Sequence, residues 1–354
     1  MRPNPVFWQG KRVLITGHTG FKGGWLALWL KRLGAHVTGI ALAPHTEPNL
    51  FDAARVAEGM TSHQADIRDA QIVGKLIDNA KPHIVLHLAA QPLVRASYAD
   101  PLLTYATNVM GTAHVLEALR GQASVRVAVM VTTDKVYRNL EQPYPYREDD
   151  ELGGHDPYSA SKAASEIVIA SYRDAWLAKQ GMAVASARAG NVIGGGDWSD
   201  DRLIPDAVRA WQARVPLHIR SPHAMRPWQH VLEPLGGYLR LAEVLWEQPQ
   251  LAGAYNFGPA TDTAASVKKV IELASSPEEY CTVCYEVGGD APVLHEANWL
   301  ALEIAKARSV LGVQPRWALS EVVSRTMAWY RAQQRGADAQ TLCLADIDGY
   351  EAMS

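Results

Sequence analysis

Apolar positions up to about residue 190 gather in short segments. Lys11–Thr16, His36–Ala41, Pro82–Leu88, Val127–Val131 and Met182–Ala187 are each five to seven residues long. Runs of that length suit strands covered on both faces. Between them, Trp25–Leu33, Arg68–Ala80, Asp100–Arg120 and Tyr158–Lys179 space their apolar residues as helices do. Gly34 and Gly181 stand where two of these helices should stop. Strands alternating with helices through short connections predict an α/β chain with a doubly wound parallel sheet. After Asn191 the texture changes. Gly194–Trp198 reads as a loop, a helix follows Arg202-Leu203-Ile204-Pro205, and Tyr255–Gly258 reads as one more short strand. Helices are expected around Val267–Ala274 and Ser320–Gln333 in a mixed C-terminal part.

In an open sheet of this kind, ligands bind beyond the carboxyl ends of the strands. The first strand runs into Gly17-His18-Thr19-Gly20-Phe21-Lys22-Gly23 and then into a helix. Strand, glycine turn and helix in that order are the context of a dinucleotide fingerprint. Glycines let the backbone approach a pyrophosphate, and the helix N-terminus offers N–H donors and positive dipole. The spacing is Gly-x-x-Gly-x-x-Gly rather than Gly-x-Gly-x-x-Gly. Trp25 and Trp29 share a helix face and read as core against the sheet. The second strand ends in Leu42-Ala43-Pro44-His45, with no acid for a ribose and no arginine for a 2′-phosphate, so this spot leaves NAD against NADP open. Asp66, with Ile67, reads either as an adenine contact or as the N-cap of the helix that follows. Leu88, Ala89, Ala90 and Gln91 end another strand, where small residues let a cofactor pack close. Asn108 reads as a structural hydrogen-bonding group as readily as a catalytic one.

The densest chemistry lies in residues 127–162. Val127–Val131 runs straight into Thr132-Thr133-Asp134-Lys135, and Asp156-Pro157-Tyr158-Ser159-Ala160-Ser161-Lys162 opens a long helix. Tyr158 and Lys162, four apart on a helix, share one face. A free tyrosine titrates at about 10 and is a poor base near neutrality. A nearby ammonium and a positively charged nicotinamide would favour its phenolate. Tyr158 could then take a proton from a sugar hydroxyl. Alone, Tyr-x-x-x-Lys also describes an ordinary surface helix turn.

Length, charge and cysteines narrow the picture. At 354 residues the chain has room for about two domains. A net charge of -3 gives no reason to expect a nucleic-acid partner. No apolar run approaches the roughly 18 residues of a membrane span. The first residues carry no basic head and apolar segment of a signal, so a soluble cytoplasmic protein is expected. Of three cysteines, Cys281 and Cys284 form a Cys-x-x-Cys in a β-rich stretch, where positions three apart face opposite ways. They are read as structural, and no metal is expected.

On these motifs the chain resembles the extended short-chain dehydrogenases/reductases, and within them it is similar to the CDP-glucose 4,6-dehydratases along nearly its whole length. The matching segments are Thr16–Gly23, His87–Arg95, Thr107–Thr112, Thr133-Asp134-Lys135, Tyr158 with Lys162, Arg188–Trp198 and Arg226–Pro234. The resemblance implies a Rossmann-type domain from residues 1–190 and 227–260, and a smaller mixed α/β substrate domain from 191–226 and 261–354. It implies bound NAD, held by Gly17, Thr19, Gly20, Phe21, Lys22, Gly23, Asp66, Ile67, Leu88, Ala89, Ala90, Thr107, Tyr158 and Lys162.

It also implies a reaction. CDP-glucose loses hydride from C4 to NAD+ while Tyr158 takes the O4 proton. The ketone acidifies C5–H, a base removes that proton, an acid protonates the C6 oxygen, and water leaves before hydride returns to C6. Thr133 would bond O4, and Asp134, if burial keeps it protonated, would be the acid. Related dehydratases generally carry Asp-Glu here, with Glu as the base. This chain has Asp134-Lys135, so Lys135 becomes the candidate C5 base, its ammonium destabilised by Lys162 and the nicotinamide. The alternative is an electrostatic partner for Asp134 or for the enolate. Gln91, Asn191, Arg202, Leu203, Arg226 and His230 are the expected substrate contacts; Arg220 and His223 are further cationic groups in that Pro-rich segment. An arginine suits a diphosphate. The helices at 101–120 and 158–180 imply a homodimer or dimer of dimers. The competing readings are a dehydratase of another nucleotide sugar, a 4-epimerase, and a non-catalytic NAD-sensing protein.

Overall fold

The computed structural model describes residues 2–142, 144–260, 263–275, 285–287 and 299–353. Seven parallel strands make one sheet: β1 (Arg12–Thr16), β2 (His36–Ala41), β3 (Thr61–Gln64), β4 (Ile84–His87), β5 (Val127–Val131), β6 (Ala183–Ala189) and β7 (Ala254–Phe257). Their order is β7-β6-β5-β4-β1-β2-β3. The chain winds one way from β1 to β3 and the other way from β4 onward. Thr16 lies opposite His87 at the carboxyl ends of β1 and β4, where that direction reverses.

The longer helices are α1 (Phe21–Arg32), α2 (Ala70–Ala80), α3 (101–119), α4 (Pro157–Tyr172), α5 (Leu203–Gln212), α6 (Leu232–Glu247), α7 (Val267–Ala274), α8 (Leu319–Gln334) and α9 (Ala339–Ala352). α2, α3 and α4 cover one face of the sheet; α1 and α6 cover the other. Alternate strand residues feed the two cores. Val127, Val129 and Val131 enter one, and Ala128 and Met130 the other. That double covering is why β5 shows no polar alternation.

Local chemistry sets the helix starts. Asp156 caps α4, accepting from the Ser159 N–H at 2.9 Å, with Pro157 at the first helical position. Asp100 and Pro101 open α3 in the same way. α3 widens to π geometry over Ala106–Met110. Asp69, not Asp66, caps α2, accepting from the Gln71 and Ile72 N–H groups.

Some elements depart from the pattern reading. β3 is the polar segment Thr-Ser-His-Gln, an edge strand mostly open to solvent, so it has no apolar run to announce it. α6 is buried along most of its length. A helix apolar nearly all round has no amphipathic stripe. α9 closes the chain back onto α1: the Trp29 indole N–H donates to Glu351 at 2.7 Å, and its ring meets Tyr350 edge-on. Trp25 and Trp29 are fully buried, as expected, yet the Trp25 N–H reaches the Gly195 carbonyl at 3.0 Å. They tie α1 to the loop after β6 and to α9 as well as to the sheet. Short pairings link the remaining segments, Val192–Ile193 with Gln229–His230 and Met225–Arg226 with Ala265–Ser266. Cys281 and Cys284 lie outside the described residues; Cys343 is buried in the core. Among the described residues, no helix is long and apolar enough to cross a membrane.

Candidate active site

The glycine turn is shaped by how closely backbone meets backbone. Gly17 sits at φ +81°, and a Cβ there would come within 2.7 Å of the Ala89 nitrogen. A Cβ on Gly23 would stand 2.0 Å from the Gly17 carbonyl oxygen. Both positions therefore admit only glycine. Gly20 caps α1 without a side chain, so the first N–H groups of α1 face outward uncovered. The Thr16 hydroxyl ties β1 to β4: it is 2.7 Å from His87 Nδ1 and accepts from the Leu88 and Ala89 N–H groups. A side-chain-free loop, open helix donors and a fixed strand switch fit a dinucleotide pyrophosphate. Thr19 donates to the Leu42 carbonyl at 2.9 Å, joining this loop to the end of β2.

His18 stands inside the turn and is fully buried. Its ring lies flat against Gly39, where a Cβ would fall 2.4 Å from it, and Nε2 lies 2.7 Å from the Ser62 hydroxyl. Burial lowers its pKa to about 4, so the ring is neutral. The missing acid at the end of β2 thus has a neutral neighbour rather than a charged substitute.

Beyond β5 the polar groups converge. Thr133 starts a short 3₁₀ turn over Asp134–Val136, and its hydroxyl donates to Asp134 Oδ1 at 2.9 Å. The Tyr158 phenol lies beside Thr133, which favours its ionised form. Lys162, one turn along α4, donates to the Val131 carbonyl at 3.3 Å. Asp134 is buried, and its Oδ2 has no hydrogen-bond partner. Gly190 leaves room for that oxygen, since a Cβ there would sit 2.8 Å away. Burial raises the Asp134 pKa against the pull of Lys135, Thr133, Arg226 and Lys22. Lys135 is half-buried beside it. Lys22 reaches in from α1 to within 3.5 Å of the Tyr238 hydroxyl. Its stem is half-exposed, but its ammonium is enclosed, and that burial lowers its pKa to about 7. Arg202 is felt by both Lys22 and Tyr158, and Arg226 by Asp134.

Burial works differently on the two members of the Tyr/Lys pair. It pushes Tyr158 up to about 12 and Lys162 down to about 8. In the chain by itself the phenol is therefore a weaker acid than a free tyrosine, not a stronger one. Lys162 by itself does not bring about the activation expected of Tyr158.

Several expected ligand contacts sit elsewhere or are already engaged. His230 is fully buried between Trp25 and Trp317, with ring centroids 5.9 and 4.8 Å away, so it has no surface to offer a substrate. The Gln91 carboxamide is turned onto Leu93 and Thr104, while its backbone exchanges hydrogen bonds with Asn108. Asn108 also donates to Ser161, which makes it the structural strut between the β4 turn and α4. The Ile67 side chain is core, packed where a Gly111 Cβ would strike it at 2.5 Å. Asp66 is half-buried and held by the Arg68 guanidinium, which lowers its pKa. Ala90 and Thr107 are half-buried near the β4 turn, and the Asn191 carbonyl accepts from the Gln229 N–H at 3.1 Å. Leu203 and Phe21 pack on the main core, Phe21 against the Gly194 loop. Arg220 and His223 are exposed.

Tyr238, Glu166 and Arg188 were not singled out from the sequence. Tyr238 lies on α6, an element with no readable stripe. Glu166 had a signal, being one helical turn beyond Lys162.

The chain is similar to known proteins along most of its length. The model of the family described as GDP-mannose 4,6 dehydratase matches residues 14–326. CDP-glucose 4,6-dehydratase of Salmonella typhimurium is 44% identical over 350 residues, covering 97% of each chain. UDP-glucose 4-epimerase of Mycolicibacterium smegmatis is 27% identical, over 90% of this chain and 98% of that one. Among solved structures, dTDP-glucose 4,6-dehydratase of Bacillus anthracis in complex with NAD superposes with TM-score 0.73 at 18% identity, over 91% of this chain and 97% of that one. UDP-glucuronic acid 4-epimerase of Bacillus cereus, in complex with UDP-glucuronic acid and NAD, gives TM-score 0.76 at 21% identity, over 91% and 99%. These last two likenesses show the fold. With the family model spanning most of the chain and a relative so similar along nearly all of it, the chain belongs to the GDP-mannose 4,6 dehydratase family of sugar-nucleotide dehydratases, among the extended short-chain dehydrogenases/reductases.

Proposed function

We propose that this chain is an NAD-dependent CDP-glucose 4,6-dehydratase, a hydro-lyase that forms CDP-4-keto-6-deoxyglucose. One observation carries the chemistry: a buried carboxyl with an unpartnered oxygen, Asp134, stands beside Lys135 and within the field of the Tyr158 phenol. A 4-epimerase needs the Tyr/Lys pair but no acid and base for elimination. The nucleotide follows from the 44% identical Salmonella relative.

When bound, NAD would supply the hydride acceptor for C4 and the hydride donor for C6. Gly17, Gly20 and Gly23 would hold its pyrophosphate, Asp66 and the Ile67 backbone its adenine, and Ala89, Ala90, Thr107 and Lys162 the nicotinamide half. Tyr158 takes the O4 proton, with Thr133 bonding that oxygen. Asp134, kept protonated by burial, gives its proton to the departing C6 hydroxyl. Lys135 removes the C5 proton. Arg202 and Arg226 face the cluster from the substrate side, where a diphosphate would need cations. Residues 1–190 and 227–260 form the cofactor domain in this reading, and 191–226 with 261–354 the substrate domain.

Purified protein incubated with CDP-, dTDP-, GDP- and UDP-glucose should remove one water from CDP-glucose only, read by product mass. Water loss from another donor keeps the chemistry and overturns the substrate. An isomer of unchanged mass favours the epimerase, and no turnover of any donor favours a sensor.

The Lys135 role has its own test. Lys135→Gln should slow exchange of the substrate's C5 proton with solvent by about 10²-fold or more. Exchange at the wild-type rate would leave Lys135 as an electrostatic partner only.

α3 and α4 expose Leu102, Met110 and Ile167, at 79%, 51% and 62% exposure. Apolar groups so open on neighbouring helices suit a homodimer built on those helices; a monomer in sedimentation would remove that reading. The product fits the supply of deoxysugars for surface lipopolysaccharide from the cytoplasm, which a gene deletion with unchanged surface deoxysugars would disprove.

A further inference from the structure

Beneath the candidate active site lies a charged pair that the proposed chemistry does not use. Glu166, on α4, and Arg188, on β6, are each 4% exposed at the side chain and meet at 2.9 Å. The carboxylate is fully engaged: Oε1 accepts from Thr132, and Oε2 accepts from Ser186 at 2.6 Å and from Arg188. Arg188 extends the network, donating to the Tyr137 hydroxyl at 2.8 Å, which in turn donates to Asn256 at 2.7 Å. The network therefore grips β5, β6, β7, α4 and the turn after β5.

Its position is specific. Glu166 is one helical turn beyond Lys162, on the same face. Thr132 directly precedes Thr133 and Asp134. A buried ion pair is costly to desolvate and weak as a source of stability, so its retention beside reactive groups calls for another reason.

We propose that Glu166, clamped by Arg188, Thr132 and Ser186, is a positioning residue that holds Lys162 charged and sets the geometry of the Thr133-Asp134 turn. The inference rests on the role proposed above for Lys162. Every charged or titratable group facing Lys162 can be named. His87 approaches from β4 and is neutral, burial having lowered its pKa to about 3. Lys22 approaches from α1 and repels it. Tyr158 and Glu166 lie on its own helix, β5 offers only the Val131 carbonyl, and α3 presents the uncharged Asn108 and Thr112. Arg188 is turned onto Glu166. Among the described residues, Glu166 is thus the one anion that opposes burial of the Lys162 ammonium.

The sign follows. Without the carboxylate, burial acts on Lys162 unopposed, and it loses its proton at lower pH. The alkaline limb of kcat/KM, where Lys162 deprotonates, should move to lower pH in Glu166→Gln by about one to three pH units. Its kcat should fall while KM for the nucleotide sugar changes little. Because Glu166→Gln strands a buried guanidinium, the double variant Glu166→Gln/Arg188→Met removes both charges and protects the fold. It should shift the limb in the same direction. A folded double variant, of native circular dichroism and cooperative melting, whose alkaline limb stays at the wild-type pH overturns the inference. A Lys162→Met enzyme that keeps the wild-type limb overturns the proposed role of Lys162, and this inference with it.

Discussion

The Asp134→Asn variant should exchange the C5 proton of its substrate with solvent yet release almost no water. Asparagine keeps the shape and the hydrogen bond from Thr133 but has no proton of carboxylic acidity to give. The loss should be about 10²–10⁴-fold in water release, the range of a general acid. The isotope content at C5 and the product mass, measured on one sample in deuterated water, separate the two steps. Equal loss of exchange and elimination would remove Asp134 from the acid role. In the wild-type enzyme, the rate of water loss should fall as pH rises through the raised Asp134 pKa, because only the protonated carboxyl can act.

The same group has a stability consequence, and its sign can be worked out. Burial raises the folded-state pKa of Asp134 above its unfolded value. The folded chain then binds more protons between the two values, so Asp134 favours folding below the unfolded pKa of about 3.9, and that advantage is lost as pH rises through the folded one. Near neutrality, Asp134→Asn should melt no lower than the wild type, which distinguishes a catalytic defect from a folding defect.

Tyr158→Phe should fail one step earlier. C5 becomes acidic only after C4 is a ketone, and C4 cannot be oxidised while its hydroxyl keeps its proton. This variant should therefore show neither exchange at C5 nor water loss, with activity down by about 10²–10⁴-fold. Retained C5 exchange would show that another group takes the O4 proton. The phenol must ionise and Lys162 must stay charged, and burial sets these against each other, one pushed up to about 12 and the other down to about 8. A bell-shaped pH profile is expected, rising as Tyr158 is ionised with the help of the cofactor's positive ring and falling as Lys162 is neutralised.

Much of this site was legible in the chain because its parts are local. The glycine turn, the polar end of β5 and the Tyr158/Lys162 spacing each lie within one strand–turn–helix segment, and close packing there demands particular residues. Gly17 and Gly23 illustrate the point, since no other side chain fits their backbone contacts. β5 and α7 have the bounds expected from their runs, and α1 begins earlier only because its first turn is glycine-rich. The cap of α2 was not legible in this way: the sequence offered Asp66 for it, and only the hydrogen bonds show that Asp69, three residues on, holds the place.

The amino-acid sequence by itself determined the α/β winding, the strand ends that carry chemistry and the neighbouring residues that carry it, because period, turn chemistry and spacing act over a few residues. The tertiary structure decided which distant groups join them. It brought Lys22 and Tyr238 to the Tyr158 side of the site, sealed His230 between two tryptophans, folded Gln91 back on its own turn, and set Glu166 against Arg188. It also set the direction in which Tyr158 and Lys162 titrate. That direction depends on burial, and burial is a property of the packed molecule rather than of any stretch of chain.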